Sequence, residues 1–281
     1  VSQLALVLER ERIPFEAIVV NDNSTDATLE VAQALAASRP EVRLVDRRLL
    51  RGFGRAVRAG LEEFRGDAVV LVMADRSDDP EDVVRYYRKL EEGYDCVFGS
   101  RFRPGSRVVN YPPVKRLFNR LVNKAIQLLF WTRFNDLTNA FKAYRREVVL
   151  ACGPYSSSHF NITIEMSLSA LIRRYTIAEI PVHWYGRTWG ASNLSLTQMG
   201  RRYLSALLKV YFEKLLVSDD ILEERVARRE HSADRLAMLE RRVEKIEETV
   251  AGGIRAPRRK RGEAEGKAAP RRTRTPSVER T

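Results

Sequence analysis

Ala68-Val69-Val70-Leu71-Val72-Met73-Ala74-Asp75-Arg76-Ser77-Asp78-Asp79-Pro80 is the stretch that separates the fold classes. Six apolar residues without alternation read as a strand buried on both faces, the pattern of a parallel sheet covered by helices. At its carboxyl end the strand runs into a loop carrying three carboxylates, and Pro80 suits the first turn of a helix expected to reach about residue 92. The same unit recurs upstream. After a helix over residues 4–12, Pro14 introduces the strand Phe15-Glu16-Ala17-Ile18-Val19-Val20, Asn23-Ser24-Thr25-Asp26 supplies turn and cap chemistry, and Leu29, Val31, Ala32, Leu35 and Ala36 recur at helical spacing. Val42-Arg43-Leu44-Val45 reads as a short strand, Gly52-Phe53-Gly54 as a loop, residues 56–64 as a helix and Asp95-Cys96-Val97-Phe98 as a fourth strand. This alternation predicts an α/β fold with an open, mostly parallel sheet flanked by helices. Ligands of such sheets collect at strand carboxyl ends, where three polar clusters fall: Asn21-Asp22-Asn23, residues 75–79 and Gly99-Ser100-Arg101.

Further along, residues 114–134 carry apolar side chains on one wide face ringed by Lys115, Arg116, Arg120, Lys124 and Arg133. Such a helix can lie on a membrane surface, but taken alone it reads first as an ordinary core helix with basic edges. Phe141-Lys142-Ala143-Tyr144 and residues 177–184 read as strands around an apolar helix at 162–173, and residues 203–217 as another apolar helix. From Leu222 the chain is highly charged, and Leu236, Leu239, Val243, Ile246 and Val250 repeat at spacings of three and four. That seam reads as a short coiled coil, with homo-oligomerisation or packing on its own globule as the two outcomes. The expected organisation is a globular domain over 1–217, a charged helix over 218–251 and a disordered basic tail over 252–281.

The formal charge of +12 resembles that of a nucleic-acid binder, but residues 251–281 hold ten Lys or Arg against three Glu and so account for +7 of it. The globule is only mildly basic, and no specific nucleic-acid partner is expected. The tail is equally a solubilising segment or a contact for anionic lipid headgroups or, as a minor reading, nucleic acid. No run of about 20 uncharged apolar residues is present, and no basic stretch leads into an apolar one at the start, so cytoplasmic residence is the expectation. Cys96 and Cys152 lack metal-ligand spacing and read as buried thiols, and His159 and His183 lack partners at ligand spacing.

Asp75 stands one step beyond the buried strand with Ser77 beside it, where a hard divalent cation bridging two phosphates would find oxygen ligands. Taken alone this is a weak signal. Asp78 and Asp79 read more simply as caps for the helix at Pro80.

Five segments in order resemble the family-2 glycosyltransferases of the Rossmann-like GT-A fold, in the dolichol-phosphate mannosyltransferase and polyprenyl-phosphate glycosyltransferase branch. The likeness covers roughly residues 13–217. Ile18-Val19-Val20-Asn21-Asp22-Asn23-Ser24-Thr25-Asp26-Ala27-Thr28 resembles the nucleotide loop V-D-D-G-S-x-D-G-T, and Met73-Ala74-Asp75-Arg76-Ser77 the metal loop D-A-D-x-Q. Gly99-Ser100-Arg101 matches G-S-R, Asp136-Leu137-Thr138-Asn139-Ala140-Phe141-Lys142 resembles D-x-x-S-G-F-R, and Arg187-Thr188-Trp189-Gly190-Ala191-Ser192-Asn193 resembles R-x-x-G-x-S-K. A set in this order is far more specific than any single motif.

The resemblance implies a nucleotide-sugar donor contacted by Asp22 and Asn21, and Mg2+ or Mn2+ held by Asp75 with Ser77. It implies a polyprenyl phosphate acceptor gathered by Arg101, Lys115, Asn119 and Arg187, with Asp136, Lys142, Glu165 and Ser192 in support. Asp75, Arg101 and Arg187 are then the catalytic set. Asp136 reads equally as support for a loop and as a substrate contact, and Glu165 in its bland reading forms a salt bridge. Direct inversion without a strong base follows, mannose or glucose is favoured, and the enzyme would act from the cytoplasmic face as a peripheral protein. Met73 stands where the family has an acid, Asn21 and Asn23 replace Asp and Gly, Lys142 and Asn193 replace Arg and Lys, and the family's first strand has no counterpart ahead of Val1. The resemblance therefore predicts a sheet short of one strand, and a non-catalytic GT-A scaffold acting through its carboxyl-terminal helix is the competing reading.

Overall fold

The structure, a computed structural model, describes residues 1–186 and 196–216 together with scattered positions between 219 and 243. The basic tail lies outside the described residues, as do Leu236, Ile246 and Val250 of the expected seam. Contacts divide the chain into two units, Val1–Val226 and Ala227–Thr281, and every helix and strand named here belongs to the first.

Strands and helices alternate as the apolar runs require. Helix α1 (Ser2–Arg10) leads to β1 (Ala17–Asp22), α2 (Thr28–Ser38), β2 (Val42–Arg47), α3 (Phe53–Glu63), β3 (Ala68–Leu71), α4 (Pro80–Glu91) and β4 (Cys96–Ser100). After it come β5 (Arg107–Val109), α5 (Pro113–Phe130), β6 (Lys142–Arg145), α6 (Arg146–Cys152), α7 (Ile162–Ile172), β7 (Ile177–Pro181), β8 (His183–Tyr185) and α8 (Leu196–Leu216). Three strand pairings are parallel, β1 with β2, β4 with β7 and β5 with β8, whereas β6 runs antiparallel between β3 and β4. The sheet is divided: β1 and β2 form one pair, and β3-β6-β4-β7 a separate four-stranded sheet. Glu16, just ahead of β1, spans this division, its carboxylate accepting the backbone N–H groups of Arg65 and Gly66 just ahead of β3.

The core sits where α7 crosses the four-stranded sheet. Ten of the eleven α7 residues are buried, Leu171 alone excepted, so its polar members need internal partners. Ser167 Oγ donates to Thr163 O at 2.6 Å, and Thr163 Oγ1 to Phe160 O at 2.8 Å. On the other face of the sheet, α1 and α4 close a second cluster in which Leu8, Val83, Tyr86 and Leu90 meet Phe141 and Val97.

Several elements differ from the sequence reading: β3 stops at Leu71, α3 starts within the expected loop at Phe53, β5 and α6 are additional, and two further differences shape the site. The strand expected over 177–184 breaks at Val182, because β4 ends at Ser100 and leaves β7 without a partner. Buried Asp82 then accepts His183 N at 2.6 Å, and the chain continues as β8 alongside β5. Helix α5 stops at Phe130, where Trp131 takes a left-handed backbone conformation (φ 54°) that ends the hydrogen-bond ladder. Only Asn123, Ile126 and Phe130 of α5 are buried, so much of its wide apolar face, including Val114, Leu117, Leu121 and Leu128, is exposed.

Candidate active site

The acidic loop leaves β3 at Leu71 and folds back on itself before α4. Asp75 accepts the backbone N–H of Ser77 at 3.1 Å, a local turn that the left-handed Arg76 (φ 60°) permits. The two following carboxylates part company. Asp79 caps α4 as expected, accepting Glu81 N at 3.0 Å, whereas Asp78 turns inward, accepts Met73 N at 2.9 Å and is buried. Asp78 is therefore not a cap; burial pushes its carboxyl up to about 7, with the neighbouring Asp75 adding to the rise. Strand β8 fastens the loop from outside, since Tyr185 N donates to Ser77 O at 2.9 Å and Trp184 forms a bridge with Asp78.

Arg101 follows β4, whose end is shaped by a close approach. A Cβ at Gly99 would stand 2.0 Å from Tyr86 Oη, and that hydroxyl donates to Phe141 O at 2.9 Å. Beyond it, Arg101 Nε and Nη2 reach the two oxygens of Asp136 at 2.8 Å each, and Arg101 N adds a third bond at 3.0 Å. Asp136 thus ties its own loop to the chain after β4 through Arg101. Burial works against the guanidinium charge, and Asp136 outweighs it, so the pKa of Arg101 is raised. Phe102, Tyr111 and Trp184 place their ring centroids 5.3–5.9 Å from Arg101 Cζ.

Asn119 joins this cluster: its amide donates to Tyr111 Oη and its Oδ1 accepts Thr138 Oγ1 at 3.2 Å. Lys115, one turn earlier, is exposed. Lys142 is fully buried, with Nζ donating to Leu137 O and Ser167 Oγ at 2.7 Å each, and burial lowers its pKa to about 7.

The structure brings together Asp75, Ser77, Arg101, Asn119, Asp136 and Lys142; other expected residues stand in separate clusters. Asp22 ends β1 with one oxygen on Arg47 and the other on Gly52 N at 2.6 Å. Asn21 is buried, donating to Asp46 Oδ1 at 2.8 Å and accepting Ser24 N at 3.3 Å. Glu165 holds the loop before α7, accepting Ser156 N at 3.0 Å and Ser157 N at 2.8 Å, and pairs with Lys209 of α8, the bland reading of that residue. Arg187 and Ser192 lie outside the described residues. Sequence reasoning read Asp78 as a cap and missed Tyr111 and Trp184, which come to Arg101 from other segments, a proximity that no local pattern marks.

Among the described residues no group of three or more His, Cys, Asp or Glu side chains could enclose a metal ion. Asp75 and Ser77 offer one carboxylate and one hydroxyl. Such a sparse donor set fits a hard divalent cation that draws its remaining ligands from substrate phosphates and water, the usual manner of Mg2+. Among the described residues no helix is long and apolar enough to cross a membrane.

Glycosyl transferase family 2 matches residues 4–152. The polyprenol monophosphomannose synthase of Mycolicibacterium smegmatis is 30% identical over 69% of this chain and 74% of its own length. The undecaprenyl-phosphate 4-deoxy-4-formamido-L-arabinose transferase of Shewanella sediminis is 34% identical over 63% of this chain, which spans about half (51%) of that protein. In fold, the chain is similar to glucosyl-3-phosphoglycerate synthase from Mycobacterium tuberculosis, crystallised with Mn2+, UDP-glucose and phosphoglyceric acid (TM-score 0.52, 22% identity, 71% of this chain and 69% of that one). The same synthase has been crystallised with Mg2+ and UDP. Alternating strands, an acidic loop closing on a buried arginine and these likenesses agree, and the chain belongs to glycosyl transferase family 2, with the GT-A fold and in its polyprenyl-phosphate branch.

Proposed function

We propose that the chain transfers a hexose, mannose or glucose being favoured, from a nucleotide donor to a polyprenyl phosphate at a membrane surface. The observation that carries this reading is the joining of two loops by one strand. Through Tyr185 and Trp184, β8 holds the Asp75 loop while its Trp184 ring lies against Arg101. A site for a diphosphate and a site for a second anion then share a wall.

The acceptor is a phosphate monoester, anionic near neutral pH, so its oxygen attacks the anomeric carbon without a strong base. The new bond forms between that oxygen and the carbon. The bond to the donor diphosphate breaks on the opposite face, and the nucleoside diphosphate departs with the electron pair, inverting the configuration. Asp136 occupies the Nε–Nη2 edge of Arg101, which leaves the Nη1 edge to meet the acceptor. Asn119, Lys115 and Arg187 complete the proposed acceptor set, Asp22 and Asn21 the donor set. Fixed positive charge here offsets repulsion between two anionic substrates without reorganisation. Mg2+ or Mn2+, held by Asp75 with Ser77, would supply the positive charge that stabilises the departing diphosphate.

Membrane docking is supported by α5, where exposed Val114, Leu117 and Leu121 alternate with Lys115, Arg116, Arg120 and Lys124. Basic and apolar groups on one surface suit anionic headgroups above an acyl layer. Helix α8 exposes Leu204, Leu208, Phe212 and Leu215 in addition.

The test is transfer of radiolabel from GDP-mannose or UDP-glucose to undecaprenyl phosphate by full-length protein with Mg2+ or Mn2+. Label in the organic phase is expected, and no transfer from any common nucleotide sugar would end this reading. One observation favours a second: Met73 stands where the family's metal loop has an acid. If Asp75→Ala leaves cellular function unchanged, the chain acts as a non-catalytic scaffold.

A further inference from the structure

The rings around Arg101 do more than pack a charge. Phe102, Tyr111 and Trp184 belong to three separate segments, and all three are only half-buried, so the cluster has an outer surface. Tyr111 and Trp184 stand 5.0 Å apart between ring centroids, and Phe102 stacks near-parallel on Tyr111 at 6.5 Å. The polar tip of Tyr111 is already committed to the Asn119 amide, and the Asp136 carboxylate behind the rings is taken by Arg101 and Thr138. Recognition of a sugar needs carboxylates or amides aimed at its hydroxyls, and these are turned inward.

The apolar surface continues outward. Arg120 of α5 lies with Cζ 5.2 Å from the Phe102 centroid. Leu117 and Leu121, three residues before it and one after, are 62% and 61% exposed. Residues three apart are neighbours on a helix, so Leu117 flanks Arg120, whose side chain joins the rings to the exposed face of α5.

We propose that Phe102, Tyr111 and Trp184 form a collar that grips the first isoprene units of a polyprenyl phosphate whose phosphate meets Arg101. This rests on the acceptor assigned above and names the residues that recognise its lipid. The collar selects isoprenoid phosphates over small phosphates by contact area. Because both ligands share the phosphate contact, the apolar area buried against the rings sets the difference between them.

Calorimetric titration of the full chain with farnesyl phosphate, methyl phosphate and UDP plus Mn2+ tests it. Wild type should bind farnesyl phosphate at least about tenfold more tightly than methyl phosphate, each tenfold being about 1.4 kcal/mol. Trp184→Ala should weaken farnesyl phosphate about tenfold more than it weakens methyl phosphate or UDP, and Trp184→Phe should retain most of the affinity. Equal losses for both phosphates, or a loss confined to UDP, would overturn the collar, the latter assigning the rings to the donor. Wild-type binding of farnesyl phosphate that neither Trp184→Ala nor Tyr111→Ala weakens would also overturn it, leaving the acceptor assignment standing. No farnesyl phosphate binding by wild type would overturn both.

Discussion

Arg101 and Asp136 form a two-point ion pair, Nε to Oδ2 and Nη2 to Oδ1 at 2.8 Å, with side chains 9% and 1% exposed. Arg101 begins the loop after β4 and Asp136 lies within the loop between α5 and β6, so the pair pins the chain after β4 to the chain before β6. Removing one partner leaves the other charge unpaired in a largely buried setting. Asp136→Asn should cost about 3–5 kcal/mol, far more than loss of an exposed pair such as Arg88 with Glu91. Urea denaturation of the two variants provides the comparison, and equal, small losses would show that the pair is solvated.

Glu165 gives a pH signature. Burial raises its pKa, but Lys209 and the Ser156 and Ser157 groups outweigh that and bring it from 4.5 down to about 2. A lowered carboxyl stabilises the fold fully above the unfolded pKa of 4.5, and that contribution is lost as pH falls toward 2. Glu165→Gln should be less stable than wild type at pH 6 by on the order of 2 kcal/mol, and the gap should close by about pH 2. A gap independent of pH in denaturant titrations would refute the charge-based account.

At Lys142 a lowered pKa instead marks a destabilising charge, because burial disfavours the protonated form. Burial lowers its pKa from 10.5 to about 7, so between those values the unfolded chain binds the extra proton and stability rises with pH. A neutral amine still provides the two donors that Leu137 O and Ser167 Oγ receive. Relative to wild type, Lys142→Met should be favoured at pH 6 and lose at least about 1 kcal/mol of that advantage by pH 10. Thermal melts of both proteins at the two pH values measure this.

Asp75 and Asp79, four residues apart, should separate chemistry from folding. Asp79 caps α4, so Asp79→Ala should cost about 1 kcal/mol of stability and leave transfer intact. Asp75→Asn keeps an acceptor for Ser77 N and should preserve the melting temperature while lowering kcat by about 100-fold or more. Transfer assays and melts on the same preparations distinguish the two; full transfer by Asp75→Asn would remove this carboxylate from the mechanism.

Much of the architecture is legible in the amino-acid sequence alone. Apolar runs such as residues 68–71 and 96–98 mark strands, but only the second is the fully buried kind: β4 lies between β6 and β7, whereas β3 stands at the sheet edge, antiparallel to β6 and half-buried. The position of Asp75 beyond such a strand is equally readable, as is the Asp79 cap beside Pro80, since both depend on neighbours within a few residues.

Tertiary structure decided which polar groups face each other. Asp78 and Asp79 are alike in sequence, yet one is drawn inside by Met73 N and the other caps a helix. Arg101 meets its carboxylate 35 residues away, and Trp184 reaches the acidic loop only because β7 runs out of partner at the end of β4. Periodicity encodes burial, which each residue expresses through its own side chain. The pairing of charges and rings depends instead on where distant segments are brought to rest, and that follows from packing the whole core.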